Sequence, residues 1–232
     1  MGLELGLSVP IAWGLSLQGA VSLGDYIYTS NPEFTQMIDN SATDVVHSRV
    51  NWKGMKVEST PQTAINVGLN FRGPNNWFAS VDFNYYDRLY LSMNPMYRTE
   101  YLANEIKRIY DWNNLETGRQ KAYVVGIIDE IRQQEDLGNA YTLSASIGKN
   151  FRIKYKYTLG FSLQVNNILN NQRIRTGGYE QMRLNKLSDP IIFPNADGEM
   201  VITKKPTTYS RFDSKYFYMN GINYYLNIYF RF

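Results

Sequence analysis

The sequence has no cysteine and a single histidine, and these two shortages exclude or disfavour several kinds of chemistry. Without cysteine, the chain forms no disulfide and has no thiolate for catalysis or metal binding. A catalytic zinc site is disfavoured because His47 has no second histidine to join it, so we expect His47 to be a solvated loop residue. We therefore predict neither a metal site nor a cofactor.

The sequence also lacks long apolar runs and a strong charge of either sign. No apolar stretch approaches the roughly 20 residues of a membrane-spanning helix, and residues 1–5 lack the basic and apolar regions of a signal peptide. The net charge is only +3 and the Lys and Arg residues are dispersed, which argues against a nucleic-acid partner. Strands that cross a membrane are not excluded, because their apolar side chains alternate with polar ones.

Instead, the sequence has 15% aromatic residues and seven stretches in which apolar and polar side chains alternate. A period of two is typical of a β-strand with one apolar and one polar face. The predicted strands begin near Leu3, Trp13, Thr63, Trp77, Tyr141, Tyr155 and Ile222. The last strand alternates to the end of the sequence, and its apolar face carries Tyr224, Leu226, Ile228, Phe230 and Phe232.

Three of the breaks between the predicted strands are short. Turn-forming residues place these breaks at residues 10–12, 73–76 and 149–154. A further irregularity is expected at Gly24, where a bulge would keep Tyr26 and Tyr28 on the aromatic face of the second strand.

The other three breaks are long connections, at residues 29–59, 92–138 and 170–214. Connections longer than about 12–15 residues are uncommon in compact soluble domains, whereas outer-membrane barrels alternate short turns with long external loops. Helical spacing predicts short helices in the second connection, at Leu102, Ile106 and Tyr110 and at Val124, Ile127, Ile128 and Ile131. We therefore predict an all-β, antiparallel transmembrane barrel whose external loops contain short helices.

The predicted sides of the membrane indicate how much of a barrel this chain supplies. Suppose that Phe232 lies on the periplasmic side, where the short turns are. Each strand crosses the membrane once, so counting back through seven strands places Met1 outside the cell. Single-chain bacterial barrels have even strand numbers, and an exported chain begins in the periplasm. We therefore expect residues 1–232 to be the carboxy-terminal segment of a larger barrel, without its plug domain and amino-terminal strands.

Several stretches, taken together, resemble one known family. They are residues 61–64 (PQTA), 86–91 (YDRLYL), 166–170 (NNILN), 172–181 (QRIRTGGYEQ) and 216–223 (YFYMNGIN). In order and spacing they are similar to the end of TonB-dependent outer-membrane receptors of Bacteroidetes type, over nearly the whole chain. The resemblance implies a 22-stranded barrel of which this chain supplies about the last seven strands.

The resemblance implies a function as well as a fold. It implies energy-coupled import of a bulky nutrient across the bacterial outer membrane, with polar strand faces lining the lumen. The implied partners are membrane lipid and, through the part of the receptor that this sequence lacks, TonB. Whether a surface lipoprotein covers the external loops is open. The last strand, which ends in Phe232, resembles the carboxy-terminal signal that the barrel-assembly machinery reads.

We predict that the external loops recognise the nutrient, because aromatic faces stack on sugars or apolar groups and arginine pairs with carboxylates or phosphates. The candidate contacts are Trp52, Tyr97, Arg98, Tyr110, Trp112, Arg173, Arg175 and Tyr179. For each of them, packing within the loops is the competing interpretation. Oligosaccharide, peptide, siderophore and cobalamin are all open as substrates.

Two further groups of acidic residues receive structural interpretations. A charged helix face and the end of that helix explain Asp129, Glu130, Glu135 and Asp136 better than a cation site does. Residues 195–199 lack the repeated ligand spacing of a calcium loop, so we interpret them as the turn of a hairpin at residues 191–202.

Two other functions and one other fold are open at this stage. A structural or adhesive outer-membrane barrel would lack energy coupling. An outer-membrane hydrolase would use His47, with Asp44 and Ser48 nearby in the sequence. A soluble β-sandwich would bury the apolar strand faces between two sheets.

Overall fold

The computed structural model describes residues 1–38, 41–154, 156–182, 184–187, 191–194, 197–204 and 208–232. Within these ranges the chain forms two α-helices, α1 (Glu100–Ile109) and α2 (Gly118–Arg132), and three short 3-10 helices, Pro74–Asn76, Pro95–Arg98 and Trp112–Asn114. The same ranges form fifteen strands: β1 (Gly2–Ala12), β2 (Leu15–Gly24), β3 (Glu33–Ile38), β4 (Ser41–Arg49), β5 (Thr63–Arg72), β6 (Trp77–Asp87), β7 (Ala140–Ile153), β8 (Tyr157–Asn166), β9 (Arg175–Tyr179), β10 (Leu184–Leu187), β11 (Ile191–Pro194), β12 (Met200–Lys204), β13 (Thr208–Arg211), β14 (Lys215–Tyr218) and β15 (Asn223–Arg231).

Seven of these strands form one antiparallel sheet in the order β1-β2-β5-β6-β7-β8-β15. They are the seven strands that the alternating pattern predicts, so this prediction is confirmed. Each strand pairs with the next of the seven along the chain, as expected when turns and connections join antiparallel neighbours. The last strand pairs with β8 in an unbroken register from Asn223 to Arg231.

The first turn lies later in the chain than predicted. β1 continues through Pro10 to Ala12, and the chain reverses at Trp13 and Gly14, whose φ angles are 49° and 82°. Two consecutive positive φ angles are the geometry of tight hairpin turns that match strand twist. Pro10 fits into β1 because this strand lies at one side of the described sheet, where a missing N–H is tolerated. The prediction of a turn at residues 10–12 is therefore wrong.

The other two short turns lie at the same end of the strands as the first, which we call the turn end. The turn at residues 73–76 is confirmed and contains the 3-10 helix Pro74–Asn76. The turn predicted at residues 149–154 is wrong in position, because β7 continues to Ile153 and the chain turns at Lys154, where φ is 51°. Tyr155, the predicted start of the next strand, lies outside the described residues.

β2 ends at Gly24 instead of continuing through a bulge, so Tyr26 and Tyr28 leave the sheet. The Tyr26 ring folds back over Gly24, where a Cβ atom would come within 2.3 Å of the ring. The predicted bulge is wrong because the close approach of a ring to the backbone, and not a register shift, explains this glycine. Beyond it, Ile27 forms only an isolated bridge with Lys56.

The two faces of the sheet differ in chemistry. Because the register keeps the alternation in step across all seven strands, apolar side chains form one continuous face. One row across this face contains Val9, Leu17, Leu69, Val81, Ala145, Val165 and Tyr224. A row across the opposite face contains Ser16, Asn70, Ser80, Ser146, Gln164 and Tyr225.

The apolar face is open. Val81, in the middle of the sheet, is 45% exposed, and large apolar side chains are exposed on each of the seven strands. A sheet in water normally buries such a face against a second layer. Here the apolar face stays exposed on all seven strands of the described sheet.

The described parts of the three long connections fold together at the end of the strands opposite the turn end, and we refer to the described residues within 25–62, 88–139 and 167–222 as the cap. The cap has its own hydrophobic core, made of Tyr97, Leu102, Ala103, Ile106, Tyr110, Val124, Ile128 and Ile131. The core residues of α1 and α2 confirm the two helices that their spacing predicts. No helix in the described ranges has the length and apolar composition required to cross a membrane.

The cap also contains strands that the sequence pattern did not predict. β3 pairs with β4, β9 with β14, and β10 with β13. β9, β10, β13 and β14 have only four or five residues, too few for a clear alternating pattern, and the longer β3 and β4 do not alternate regularly between apolar and polar residues. The hairpin predicted at residues 191–202 is confirmed as the pair of β11 and β12.

Candidate functional site

A buried ion pair ties the parts of the cap together beneath a wide cleft. Arg98 ends one 3-10 helix immediately before Thr99, the N-cap of α1, so its backbone is held from both sides. The side chain is 0% exposed, and its guanidinium donates to both carboxylate oxygens of Glu180, with 2.7 Å between Nη2 and Oε1. Arg98 also donates to the backbone carbonyl oxygens of Asn94, Arg132 and Gln133.

Glu180 joins this pair to a second arginine. Nη1 of Arg211 donates to Oε1 of Glu180 at 3.0 Å, and the backbone N–H of Asn94 donates to Oε2 at 2.7 Å. Arg211 also donates to the Gln133 carbonyl oxygen at 2.9 Å. Buried charges are stable only when they are paired and hydrogen-bonded. The network therefore holds the second and third connections of the cap in one arrangement.

Glu135 forms a second polar cluster shortly after the end of α2. The Ser214 hydroxyl donates to Oε2 at 2.8 Å, and the Tyr216 hydroxyl donates to Oε1. The Arg175 guanidinium lies 4.2 Å from the centroid of the Tyr216 ring, and its Nη1 is 3.6 Å from Oε1 of Glu135. The hydrogen bond to Glu135, together with burial, raises the pKa of the Tyr216 hydroxyl, so this hydroxyl stays a neutral donor.

A cleft of about 760 Å³ lies between α2 and residues 210–216. This volume is within the range of about 300–1,000 Å³ that small-molecule sites occupy. The lining combines aromatic rings, carboxylates and a hydroxyl: Tyr123, Tyr216, Glu130, Glu135, Asp213 and Ser214. Arg211 also lines the cleft and links it to the buried network around Glu180.

The lining of the cleft is acidic. It contains the carboxylates of Glu130, Glu135 and Asp213 and one guanidinium, that of Arg211. Carboxylates accept hydrogen bonds from hydroxyl and ammonium groups, and tyrosine rings stack on the flat faces of sugars or on apolar groups. The cleft is therefore suited to a ligand that is rich in hydroxyl groups or carries positive charge.

Three of the predicted nutrient contacts are buried in the cap. Arg98 is fully buried in the ion pair, and Tyr97 and Tyr110 are 1% and 4% exposed. The Tyr97 hydroxyl donates to the Gln181 carbonyl oxygen at 2.7 Å, and Tyr110 packs in the cap core. These three side chains offer no surface to a ligand in this conformation, as expected for the competing interpretation, packing within the loops.

The two predicted tryptophan contacts are half-buried and do not line the cleft. The Trp52 ring centroid lies 4.9 Å from that of Tyr28. The Nζ atoms of Lys107 and Lys121 lie 5.2 Å and 5.8 Å from the Trp112 ring centroid. Their ring contacts are thus with other parts of the cap.

The predicted contacts in the third connection lie in different surroundings. Arg173 and Tyr179 are exposed, whereas Arg175 contacts Glu135 and Tyr216, two residues that line the cleft. None of the eight predicted contacts itself lines the cleft.

The sequence analysis missed the acidic lining of the cleft. It assigned Glu130 to a charged helix face and Glu135 to the end of that helix; Glu130 does lie on α2, whereas Glu135 lies two residues beyond the C-cap residue Gln133. That face lines the cleft because residues 210–216, nearly eighty positions further along the chain, fold against it.

His47 lies in β4 and not in a loop, so this part of the prediction is wrong. Its Nδ1 is 3.1 Å from the Thr35 hydroxyl across the β3–β4 pair, and the Ser48 hydroxyl accepts the Tyr101 backbone N–H at 2.9 Å. The side chain of Asp44 lies outside the described residues. Within them, no group of three or more His, Asp or Glu side chains is arranged to hold a metal ion.

The polar face of the sheet is a second surface that could meet a passing ligand. Asn66 Nδ2 donates to Asn84 Oδ1 at 2.8 Å, and the hydroxyls of Ser80 and Ser146 lie 2.9 Å apart. No protein-family model, no curated protein and no solved structure matches this chain. The functional interpretation therefore rests on the geometry of the cleft and of the two sheet faces, and on the sequence resemblance.

Proposed function

We propose that this chain is a section of a transmembrane β-barrel in the bacterial outer membrane, with lipid against the apolar face of its sheet. The open apolar face, which extends over all seven strands, carries this proposal. Keeping apolar surface in water costs about 25 cal/mol per Å², and exposed patches above a few hundred Å² are rare on soluble monomers. In a bilayer the same face is favourable, and the polar face would line the lumen.

The dimensions of the strands support the same proposal. The seven strands of the sheet contain nine to fourteen residues, and about 9–11 residues suffice for a tilted strand to cross a bilayer. Short turns at one end and a folded cap at the other match the periplasmic turns and external loops of outer-membrane barrels. The cap would then lie outside the cell.

We further propose that the barrel imports a bulky nutrient through TonB-dependent energy coupling. The resemblance of residues 166–181 and 216–223 to TonB-dependent receptors supports this step. In this proposal the cleft of the cap contacts a hydroxyl-rich or cationic part of the nutrient. The exposed cleft carboxylates, Glu130 and Asp213, take the place of the buried Tyr97, Arg98 and Tyr110 as the proposed contacts.

The membrane proposal is tested with two variants that introduce an arginine at the same depth in the sheet, one on the apolar face and one on the polar face. Val81→Arg puts the charge on the apolar face in the middle of the sheet, where it costs about 2–4 kcal/mol in a bilayer. We expect carbonate-resistant protein in outer membranes to fall about tenfold or more. Ser80→Arg, on the polar face, should leave the yield unchanged. Equal yields from the two variants, or wild-type protein recovered in the aqueous fraction without detergent, would overturn the proposal.

The transport proposal is tested by uptake of candidate nutrients into cells of the source organism. Asp213→Asn combined with Glu130→Gln should reduce uptake at low nutrient concentration about tenfold, because two charge-assisted contacts are lost. Glu116→Gln, which removes an exposed carboxylate outside the cleft, is the matched control. Collapse of the proton gradient should abolish wild-type uptake, and uptake that survives it would favour a barrel without energy coupling.

Two further measurements separate the alternatives. An antibody against residues 170–214 should detect a polypeptide of about three to four times 26.9 kDa in outer membranes, as a plugged transporter requires. A band at 26.9 kDa would contradict the transporter proposal. Loss of a hydrolytic activity in His47→Ala would instead favour the hydrolase.

A further inference from the structure

The turn end of the sheet is basic. Six cationic side chains lie in or close to its turns: Arg72, Lys149, Arg152, Lys154, Lys156 and Arg231. The stretches that build this end, residues 7–18, 69–80, 145–161 and 226–232, contain no Asp or Glu. All acidic residues except Glu4, Asp82 and Asp87 belong to residues 25–62, 88–139 and 167–222, and these ranges contain 18 acidic and 18 basic residues. The turn end is therefore positive, whereas the long connections are balanced in charge.

One of these cations, Lys149, belongs to the apolar face. Its register partners are Trp77 on β6 and Phe161 on β8, and both lie in apolar rows. The Nζ atom lies 4.7 Å from the Trp77 ring centroid and 4.9 Å from that of Phe151. In the described part of the chain, the structure shows no carboxylate within 4.0 Å of Nζ to neutralise this charge.

The rings around Lys149 form one cluster. The Phe161 ring stacks on Phe151 with 6.1 Å between centroids and meets Trp77 edge-on at 6.2 Å. Aromatic side chains of this kind concentrate where the hydrocarbon of a membrane meets its headgroups, and lysine extends its ammonium toward the same level. Trp77 begins β6 directly after the turn at residues 73–76. The cluster therefore lies at the turn end of the sheet, where this headgroup level would be.

We propose that Lys149, Trp77, Phe151 and Phe161 form a headgroup site, which binds the phosphate of a membrane phospholipid. This site rests on the proposed function, because its apolar face must meet lipid. The Lys149 ammonium pairs with the phosphate as a point charge. The acyl chains lie along the exposed apolar side chains of the adjoining rows, which include Ile147, Leu159 and Leu163.

A lipid phosphate fits this site better than a soluble anion or an acidic protein does. A free phosphate would have only the Lys149 ammonium as a cationic partner here. The side chains on both sides of that ammonium are apolar and offer a free anion no further contact. An acidic protein would have to cover the apolar rows that flank Lys149. The other five cations of the turn end add a general attraction of about 1 kcal/mol each toward an anionic membrane surface, so they favour the same partner.

The test counts the phospholipids that the full-length protein retains. Wild type and variants are extracted from outer membranes in mild detergent and incubated with phosphatidylglycerol, and lipid adducts are measured by native mass spectrometry. Lys149→Met keeps the apolar stem and removes the charge, and we expect about a fivefold loss of bound lipid. Lys149→Arg should retain the lipid. Lys107→Met is the matched control, because Lys107 has a similar ring contact, with Trp112, but lies in the cap.

Equal lipid retention in wild type and Lys149→Met would overturn the headgroup site. So would displacement of the lipid by inorganic phosphate at a similar concentration, which would assign the cluster to a free phosphate. Retention of an acidic protein in place of lipid would overturn it too. Failure of the proposed function is distinguishable, because the wild-type protein would then be recovered without detergent, whereas failure of the headgroup site leaves its membrane yield intact.

Discussion

Ile106 in the cap and Ile147 in the sheet show that apolar side chains are buried in one region of the molecule and exposed in the other. Ile106, on α1, is 1% exposed in the cap core, whereas Ile147 is 47% exposed on the open face. The residue type is the same, so the difference comes from periodicity. Helical spacing turns an apolar stripe toward a neighbouring helix, while a period of two spreads apolar residues over one face of a wide sheet.

Charge divides the same two regions. The cap carries most of the carboxylates and buries one of them, Glu180, between two arginines. The stretches that build the turn end of the sheet contain six cationic side chains and no Asp or Glu, and Lys149 packs among rings there. The cap therefore has the interior of a water-soluble domain, and the sheet has a surface suited to an apolar surrounding and an anionic boundary. The following predictions test this contrast between cap and sheet, beginning with the largest expected effect.

The largest effect is expected at Glu180. Glu180→Ala leaves Arg98 buried without its counter-ion and should destabilise the cap by about 3–5 kcal/mol. Limited proteolysis should then cut the cap faster, while the amount of protein in the membrane stays the same. Glu105→Ala removes the carboxylate of the i,i+3 pair with Arg108 on α1, and it should cost less than about 1 kcal/mol. Equal costs for the two variants would contradict a buried network that holds the cap.

The next effect compares the two isoleucines directly. Ile106→Ala creates a cavity in the cap core and should cost about 2–5 kcal/mol in thermal or denaturant unfolding. Ile147→Ala removes the same atoms from an open face and should cost less than about 1 kcal/mol in detergent. A large cost at Ile147 would mean that another part of the protein covers the apolar face.

The smallest effect is expected at Tyr28, which donates to Glu58 at 2.7 Å. Burial, together with this hydrogen bond, raises the pKa of Tyr28 from 10.0 to about 12. The folded cap thus disfavours the anion, so the contribution of Tyr28 to stability is complete below pH 10 and is lost as the pH rises through about 12.

Unfolding of the cap, measured between pH 10 and about 12, should therefore become less pH-dependent in Tyr28→Phe. Tyr101→Phe, at an exposed tyrosine of α1, is the control and should behave as wild type. An unchanged pH dependence in Tyr28→Phe would contradict the assignment to this hydroxyl.

Much of the fold was predictable because local patterns carry it. The strands of the sheet and the two helices each have a strong periodic signal, and both signals were correctly interpreted. The turn positions were less predictable, because Pro10 and Lys149 indicate turns locally, yet both lie within strands that pairing extends. The cap strands β9, β10, β13 and β14 were missed since four or five residues contain too little alternation.

The candidate site was less predictable than the fold. Residue type alone favoured Arg98 and Tyr97 as ligand contacts, but burial gives both of them internal partners. Glu135 and Tyr216 are 81 positions apart in the sequence, and no local pattern predicts their contact. Long-range side-chain contacts depend on how the three connections pack against one another, which alternation within each strand does not encode.

The sequence alone was enough to establish seven strands with one apolar and one polar face and two cap helices. Each of these properties depends on residues that are close in the chain, where steric and hydrophobic periodicity act directly. Tertiary structure was needed to reveal the Arg98–Glu180–Arg211 network, the acidic cleft and the rings around Lys149. These features join distant segments, and their geometry arises only when packing brings buried charges and rings to the partners that stabilise them.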